Sequence, residues 1–280
     1  MTSTSLSRRF AAVCLTACVA APSVAAAEEP ESSSASVNLM VLRENATGSA
    51  SAAQGYIDDL VGAIAKTVGW DSAAGKYVTR RSTAERYIAE TKPQFGILSL
   101  SAYLALRTKH KLAVLGKADI QSGGGHQFFV VSKNQLSLPG CKGKSLGTNH
   151  SDGTFIDAIV SGDDFDLGEF EVVDTRRPVK TLKSVIAGDV ECALIDDAQL
   201  MELQHLDGGL EVHPVWSSES LPSMVVAAFP SADDKQRGGF SKALDTVCGG
   251  EGKAACEATS IKLESAGKDA FAEYEKAYGG

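Results

Sequence analysis

Residues 95–103 read Phe95-Gly96-Ile97-Leu98-Ser99-Leu100-Ser101-Ala102-Tyr103. A short apolar run ends in small hydroxyl side chains, and a helical pattern follows from Ser101 to Lys109. Phe95 to Leu98 therefore reads as a buried strand feeding a helix. The same alternation extends in both directions. Upstream, residues 37–42 (VNLMVL) read as another buried strand. Residues 51–68 then read as a helix, with Ala53, Ile57, Leu60, Val61, Ile64, Ala65 and Val68 on one face. Residues 76–79 make a short strand. Residues 82–90 make a short helix, with Ser82 as its N-cap and Glu85 three residues on as a capping box; Pro93 breaks it. Downstream, 112–115 is the next strand. The order β-α-β-α-β-α-β predicts a parallel sheet with helices on its faces.

The pattern changes at Gly123-Gly124-Gly125. A second alternating set then begins, with strands at 127–132, 145–148, 171–174 and 192–195 and helices at 153–161, 179–187 and 198–204. Strands at 211–216 and 222–228 and helices at 233–247 and 254–277 close the chain. The late elements need a sheet to complete, and the first unit supplies it. The fold class expected is α/β and two-lobed, each lobe a mainly parallel sheet flanked by helices. One lobe is placed at 37–118 plus 212–280 and the other at 119–211. The crossings near 121–126 and 210–215 would be the hinge.

The first thirty residues carry a different signal. Arg8 and Arg9 precede an apolar, alanine-rich run from Phe10 to Ala27, the layout of a secretory signal peptide over 1–27. The run is short, contains Pro22 and Ser23 and is followed by Glu28 and Glu29, so a permanent span is the weaker reading. Two processing sites compete. Ala25-Ala26-Ala27 fits cleavage after small residues, and Leu15-Thr16-Ala17-Cys18 resembles a lipobox that would leave a lipid anchor on Cys18. Either route puts the folded part outside the cytoplasm, periplasmic or extracellular. Residues 28–36, made of Glu, Ser, Ala, Pro and the like, cannot bury apolar surface and read as a disordered leader.

The chain has 27 basic and 35 acidic residues, a net charge of −8. The signal would take two arginines with it, so the mature charge is near −10, which argues against nucleic acid or an anionic membrane surface as a partner. An anionic small ligand stays open, because local donors decide that. Of six cysteines, Cys141, Cys192, Cys248 and Cys256 survive processing. An even number in an exported chain suggests two disulfides. Cys248 and Cys256 bracket a Gly-rich stretch and form an easily closed pair, which leaves Cys141 with Cys192; free thiols are the competing reading. The spacing matches no zinc pattern, and neither a metal nor a cofactor is expected.

Three stretches, in order, carry a resemblance: residues 95–103, then Leu138-Pro139-Gly140-Cys141-Lys142-Gly143-Lys144-Ser145-Leu146-Gly147, then Val185-Ile186-Ala187-Gly188-Asp189-Val190-Glu191-Cys192-Ala193-Leu194-Ile195-Asp196. They resemble, respectively, the strand–loop–helix, the lysine-containing run before a binding helix and the helix–turn–strand of type II periplasmic solute-binding proteins, of the phosphonate/phosphate type that serve ABC importers. The resemblance covers roughly 95–200. It implies a two-lobed binding protein that hands a small ligand to a transporter permease, and a monomer is expected. One departure stands out. The family's Ser/Thr-Ser-Gly cluster is here Asn149-His150-Ser151-Asp152-Gly153-Thr154, and the acid within it would repel a phosphonate unless it points away.

Ligands of open α/β sheets sit beyond the carboxyl ends of the strands, where helix N-termini offer unpaired N–H groups. That rule selects Arg43 after the first strand, Ser99 and Ser101 after the third, Asn149, His150, Ser151, Gly153 and Thr154 in the second lobe, and Asp196 after the strand at 192–195. Each has a plainer alternative, a surface charge or a helix cap. Arg176 and Arg177 sit at another strand end, where lobe-surface charge is the preferred reading. Tyr103, Trp70, Trp216 and His126 complete the candidates, since an aromatic ring at a cleft can cover a ligand. No His-Glu-x-x-His, Walker or Gly-x-Gly-x-x-Gly motif occurs, and no catalysis is expected. The sequence thus predicts capture of a small anionic solute, phosphonate- or phosphate-like, by hinge closure. A ligand-binding module of a sensory system, or an enzyme on the same fold, are the alternatives.

Overall fold

In the computed structural model, residues 36–46, 49–120, 123–222 and 224–279 are described. The expected signal peptide, Cys18 and all of the leader but Ser36 lie outside them. The first elements are β1 (Val37–Leu42), α1 (Ala50–Val68), β2 (Ala73–Val78), α2 (Arg81–Thr91), β3 (Phe95–Ser99), α3 (Leu100–His110) and β4 (Ala113–Ile120). Then come β5 (Phe128–Ser132), α4 (Leu138–Cys141), β6 (Ser145–Thr148), α5 (Gly153–Phe155) running into a π turn at Ile156–Val160, β7 (Glu171–Asp174), α6 (Pro178–Ala187), β8 (Cys192–Asp196), α7 (Asp197–Leu203) and β9 (His213–Ser217). The chain closes with β10 (Met224–Ala228), α8 (Asp234–Val247), α9 (Lys253–Thr259), β11 (Ile261–Ser265) and α10 (Ala272–Ala277).

Two sheets result, with orders β11-β4-β10-β3-β1-β2 and β7-β6-β8-β5-β9. β1 pairs in parallel with β2 and β3, while β10 lies antiparallel between β3 and β4. Four strands of the first sheet, β1 to β4, therefore share one direction, as crossover helices require. In the second, β6 runs parallel to β7 and β8, and β5 runs antiparallel to β8 and to β9. Apolar residues cover both faces of the first sheet. One cluster joins Leu39, Val41, Ile97 and Val226 to Leu60 and Ile64 of α1 and Phe240 and Leu244 of α8. A second takes Met40, Leu42 and Leu98 with α2 and α3 and continues into Phe128, Leu146 and Leu194 of the second sheet. A third sits beneath α6 and α7.

Local chemistry explains the element ends. Ser49 accepts a hydrogen bond from the Ala52 N–H at 3.2 Å and starts α1, and Gly69, at φ +79°, stops it in the left-handed region open to glycine. Burying side chains such as Leu60 and Ile64 stabilises the fold by about 1.5–3 kcal/mol each.

Three expectations are corrected. α2 starts at Arg81 with Arg80 as N-cap and no side-chain cap, so Ser82 lies inside the first turn and the Ser82–Glu85 box does not form. The strand at 213–217 pairs with β5 in the second sheet, so the return crossing follows Ser217, not residue 212. The helix expected over 254–277 is broken: Ser260, at φ +53°, ends α9, and Ile261–Ser265 pairs antiparallel with β4. Ile261 and Leu263 face inward and Lys262 outward, a period of two that suits a strand and not a helix. Both cysteine pairs sit as disulfides, with Cα–Cα distances of 6.0 Å for Cys141–Cys192 and 5.5 Å for Cys248–Cys256. Among the described residues no helix is long and apolar enough to cross a membrane.

Candidate functional site

The parallel strands of both sheets point their carboxyl ends at one cleft. Its inner part is a chamber of about 40 Å³ lined by Arg43, Glu44 and Asn45 after β1, Ser99 and Ser101 around the β3–α3 junction, Gly123 to Gly125 at the crossing, Phe128, His150, Phe155 and Asp196. Its outer part is a cavity of about 550 Å³ that shares Glu44, Asn45, Ser101, His150 and Phe155. Thr79 to Ser82 of the first lobe and Asn149, Ser151, Asp152, Asp174, Arg176 and Arg177 of the second complete it.

A buried hydrogen-bond chain defines the second lobe's wall. The Asp196 N–H donates to Gln199 Oε1 at 3.3 Å, which fixes the amide orientation of Gln199. Gln199 Nε2 then donates to Asn149 Oδ1 at 3.0 Å, and Thr181 Oγ1 donates to the same oxygen at 2.9 Å. His150 Nε2 lies 3.2 Å from Gln199 Oε1 and so carries the proton. His150 Nδ1 is left to accept from Asn45 Nδ2 at 3.1 Å, across the cleft. Burial pushes the His150 pKa down to about 4, against the Gln199 contact, which favours the cation. The ring is thus a neutral structural bridge, stacked edge-on against Phe128 with centroids 5.1 Å apart.

Asn149 is 4% exposed, and its Nδ2 has no hydrogen-bond partner. Since Oδ1 is held by two donors, the orphaned group is an N–H donor at the wall of the larger cavity. A buried donor without a partner costs about 1–3 kcal/mol, so such groups call for an explanation. Asp196 caps α7 through the Gln199 N–H at 2.9 Å. Burial raises its pKa to about 7; neighbouring Asp197 adds to this and Arg43 works against it.

The first lobe contributes a charge cluster. Arg81 Nε and Nη2 hold both oxygens of Glu44 at 2.8 and 2.7 Å, a bidentate pair. Arg81 Nη1 reaches Asp152 of the opposite lobe at 2.9 Å. Burial works against the Arg81 cation, but its two carboxylates outweigh that and raise its pKa. Ser101 Oγ donates to Glu44 at 3.1 Å. Asp152 also caps the Phe155 N–H at 3.1 Å and accepts from Tyr278 Oη at 2.8 Å. The acid in the 149–154 cluster therefore points at an arginine.

Three long helices start at the cleft without a side-chain cap: α2 after Arg80, α3 after Ser99 and α6 after Arg177. Their first free N–H groups, which in α6 start at Val179 because Pro178 has none, carry partial positive charge. Among the described residues no carboxylate lies within 4.0 Å of the Arg80 or Arg177 guanidinium, whereas Arg176 reaches Asp174 at 3.6 Å.

Arg43, Ser99, Ser101, Asn149, His150, Ser151 and Asp196, expected from the sequence, all line this cleft. Tyr103, Gly153 and Thr154 do not. Tyr103 is 2% exposed, donates to Glu275 at 2.5 Å and packs on Phe271, because its place on α3 turns it under the C-terminal segment. Gly153 and Thr154 begin α5, whose first turn carries Phe155 to the cleft in their stead. Trp70 stacks on Phe95 in the core, Trp216 donates to Asp164, and His126 pairs with Asp119 beside the crossing. Reading single strand ends missed Arg81 and Asp152 as partners. Asp152 sits inside the 149–154 cluster already singled out, whereas no chosen residue lay beside Arg81. Among the described residues no group of three metal-ligating side chains occurs.

No protein-family model matches the sequence, and no curated protein matches it in sequence. Solved structures do match the fold. XAC2383 from Xanthomonas citri, solved with chloride ion, superposes with a TM-score of 0.67 at 11% identity, covering 86% of this chain and 97% of that one. PhnD1 from Prochlorococcus marinus in complex with methylphosphonate gives 0.61 at 9% identity, over 85% and 96%. The periplasmic aliphatic sulphonate binding protein SsuA from Escherichia coli gives 0.56 at 10% identity, over 87% and 74%. At such identities the likeness is one of architecture: the chain has the two-lobed α/β fold of periplasmic solute-binding proteins.

Proposed function

We propose that the chain is an exported solute-binding protein of an ABC importer, and that it captures a small anion between lobes 37–120 with 218–280 and 121–217. One observation carries this reading. Two uncapped helix starts from opposite lobes, α2 and α6, the unpaired guanidinium groups of Arg80 and Arg177, and the orphaned Nδ2 of Asn149 all border one cavity of about 550 Å³. An oxyanion there would satisfy Asn149, complete the exposed amides and neutralise the arginines. Neither lobe offers the whole set alone, so the anion binds the closed arrangement more tightly than the open one and shifts the population towards it. The closed pair of lobes is what a membrane permease would recognise.

The solved neighbours described with methylphosphonate or as aliphatic sulphonate binders make tetrahedral oxyanions the first ligands to test. Calorimetric titration with phosphate, alkylphosphonates and alkylsulfonates should show one-to-one binding to at least one of them. Asn149→Ala and Arg177→Ala should each weaken it about tenfold or more. Absence of heat with every anion, or heat that both substitutions leave unchanged, rules the reading out.

A further inference from the structure

Asp152 holds a position that simple anion capture does not explain. It comes from the second lobe, yet its Oδ2 makes its contacts outside that lobe: Arg81 Nη1 at 2.9 Å from the first lobe and Tyr278 Oη at 2.8 Å from the C-terminal segment. Its other oxygen caps the Phe155 N–H. Arg81, already gripped by Glu44, is therefore shared between two carboxylates whose side chains are only 11% and 13% exposed. The cluster carries one guanidinium and two carboxylates, so it holds one negative charge in excess at the edge of the anion cavity. The C-terminal segment belongs to the same device. Glu275 accepts from Tyr103 and its carbonyl from Arg107, both on α3, while Tyr278 three residues on reaches Asp152.

We propose that Asp152 is a specificity-determining residue. Its carboxylate takes the place on Arg81 that a ligand's second negative charge would need. It holds the lobes together from within and favours singly charged over doubly charged anions. The ligand half of this inference rests on the function proposed above; the latch half does not. Both follow from charge and position. Within a cavity where Arg80, Arg81, Arg176 and Arg177 face Glu44, Asp152 and Asp174, the Asp152 carboxylate opposes a dianion twice as strongly as a monoanion. An ion pair across the cleft biases the lobes towards closure before any ligand arrives, and the ligand shifts that already biased population further.

Asp152→Asn removes the charge while its one oxygen still caps the Phe155 N–H; its Nδ2 then faces Tyr278 Oη, which turns from donor to acceptor. Sulfate and methanesulfonate serve as probes, because they present similar tetrahedral oxygens with charges of two and one. Titration of the native chain should favour methanesulfonate. In the variant the preference should move towards sulfate by about tenfold or more. A purely structural role would weaken both anions together and leave their ratio fixed, which overturns the specificity claim. Small-angle scattering without ligand tests the latch: the native chain should be compact, and Asp152→Asn and Tyr278→Phe should expand it. Equal radii of gyration for all three proteins overturn the latch. Should neither anion bind the native chain, the proposed function fails for this ligand class and scattering alone decides the latch.

Discussion

Asp196→Asn should change how stability depends on pH in a way that no exposed carboxylate would. The folded chain raises the Asp196 pKa from 3.8 to about 7, chiefly by burial. Between about pH 4 and pH 7 the native state therefore holds a proton that the unfolded chain has lost, and stability falls as pH rises through that window. Above pH 7 the full cost is present. About three pH units at 1.36 kcal/mol each set it at ~4 kcal/mol as an upper value. His150 acts in the opposite sense. Its pKa is lowered from 6.5 to about 4, so the unfolded chain binds the extra proton and stability rises with pH between about 4 and 6.5. In the native chain the two slopes offset each other over that interval. Asparagine keeps the cap on α7 and removes the falling limb alone. The variant should match the native chain near pH 4, gain stability through pH 6.5, and exceed it by up to ~4 kcal/mol at pH 8. Urea unfolding from pH 4 to pH 8 measures the difference directly, since groups common to both proteins cancel. A difference independent of pH, or a variant less stable than the native chain at pH 8, refutes the reasoning.

Gly124→Ala should destabilise the fold by about 1–3 kcal/mol, because φ is +83° there and an added Cβ would meet Asp196 Oδ2 at 2.6 Å; thermal unfolding reads the loss. Removing Cys141–Cys192, with a separation of 51, should cost about 4 kcal/mol, and removing Cys248–Cys256, with a separation of 8, about 2.5 kcal/mol. Denaturant midpoints of the paired Cys→Ser variants would rank them, and the reverse order would contradict the loop-entropy account. Tyr103→Phe deletes a donor to Glu275 and should cost about 1.5–3 kcal/mol. Hydrogen exchange should then rise selectively over 272–279, and unchanged protection there would detach Tyr103 from the C-terminal segment.

The sequence was most informative where periodicity and burial agree. Val37–Leu42, Phe95–Ser99 and Cys192–Asp196 are continuous apolar runs, and the structure covers both their faces. It was least informative where tertiary pairing decides. Ile261-Lys262-Leu263-Glu264 alternates, but a window beginning at Ala254 scores as helix, and only the open edge of β4 converts the segment to a strand. His213–Ser217 could join either sheet by pattern, and pairing with Val130 and Val131 of β5 selects the second. The same limit applies to the cleft. Strand ends pick out Arg43, Ser99, Ser101 and Asp196 without any coordinates, because a parallel sheet gathers those ends on one side. Which acid meets which arginine, as in Glu44–Arg81–Asp152, depends on contacts between residues 37 to 71 apart in sequence. Tyr103 shows the converse: an aromatic residue one turn from the cleft belongs to the core, and the sequence holds no sign of the Phe271 ring that covers it.

The intercalated strand β10 also dictates an order of assembly. The second lobe is one uninterrupted run from Phe128 to Ser217 and carries its own cysteine link, so it can mature as soon as that run has emerged. The first has to wait, because β3 and β4 do not touch until Met224–Ala228 slots between them. Until then each presents a bare apolar edge, the kind that recruits foreign strands. A chain cut short before Met224 should therefore be prone to clump even though four-fifths of its residues are present, and a helper that shields nascent segments would matter most in that interval.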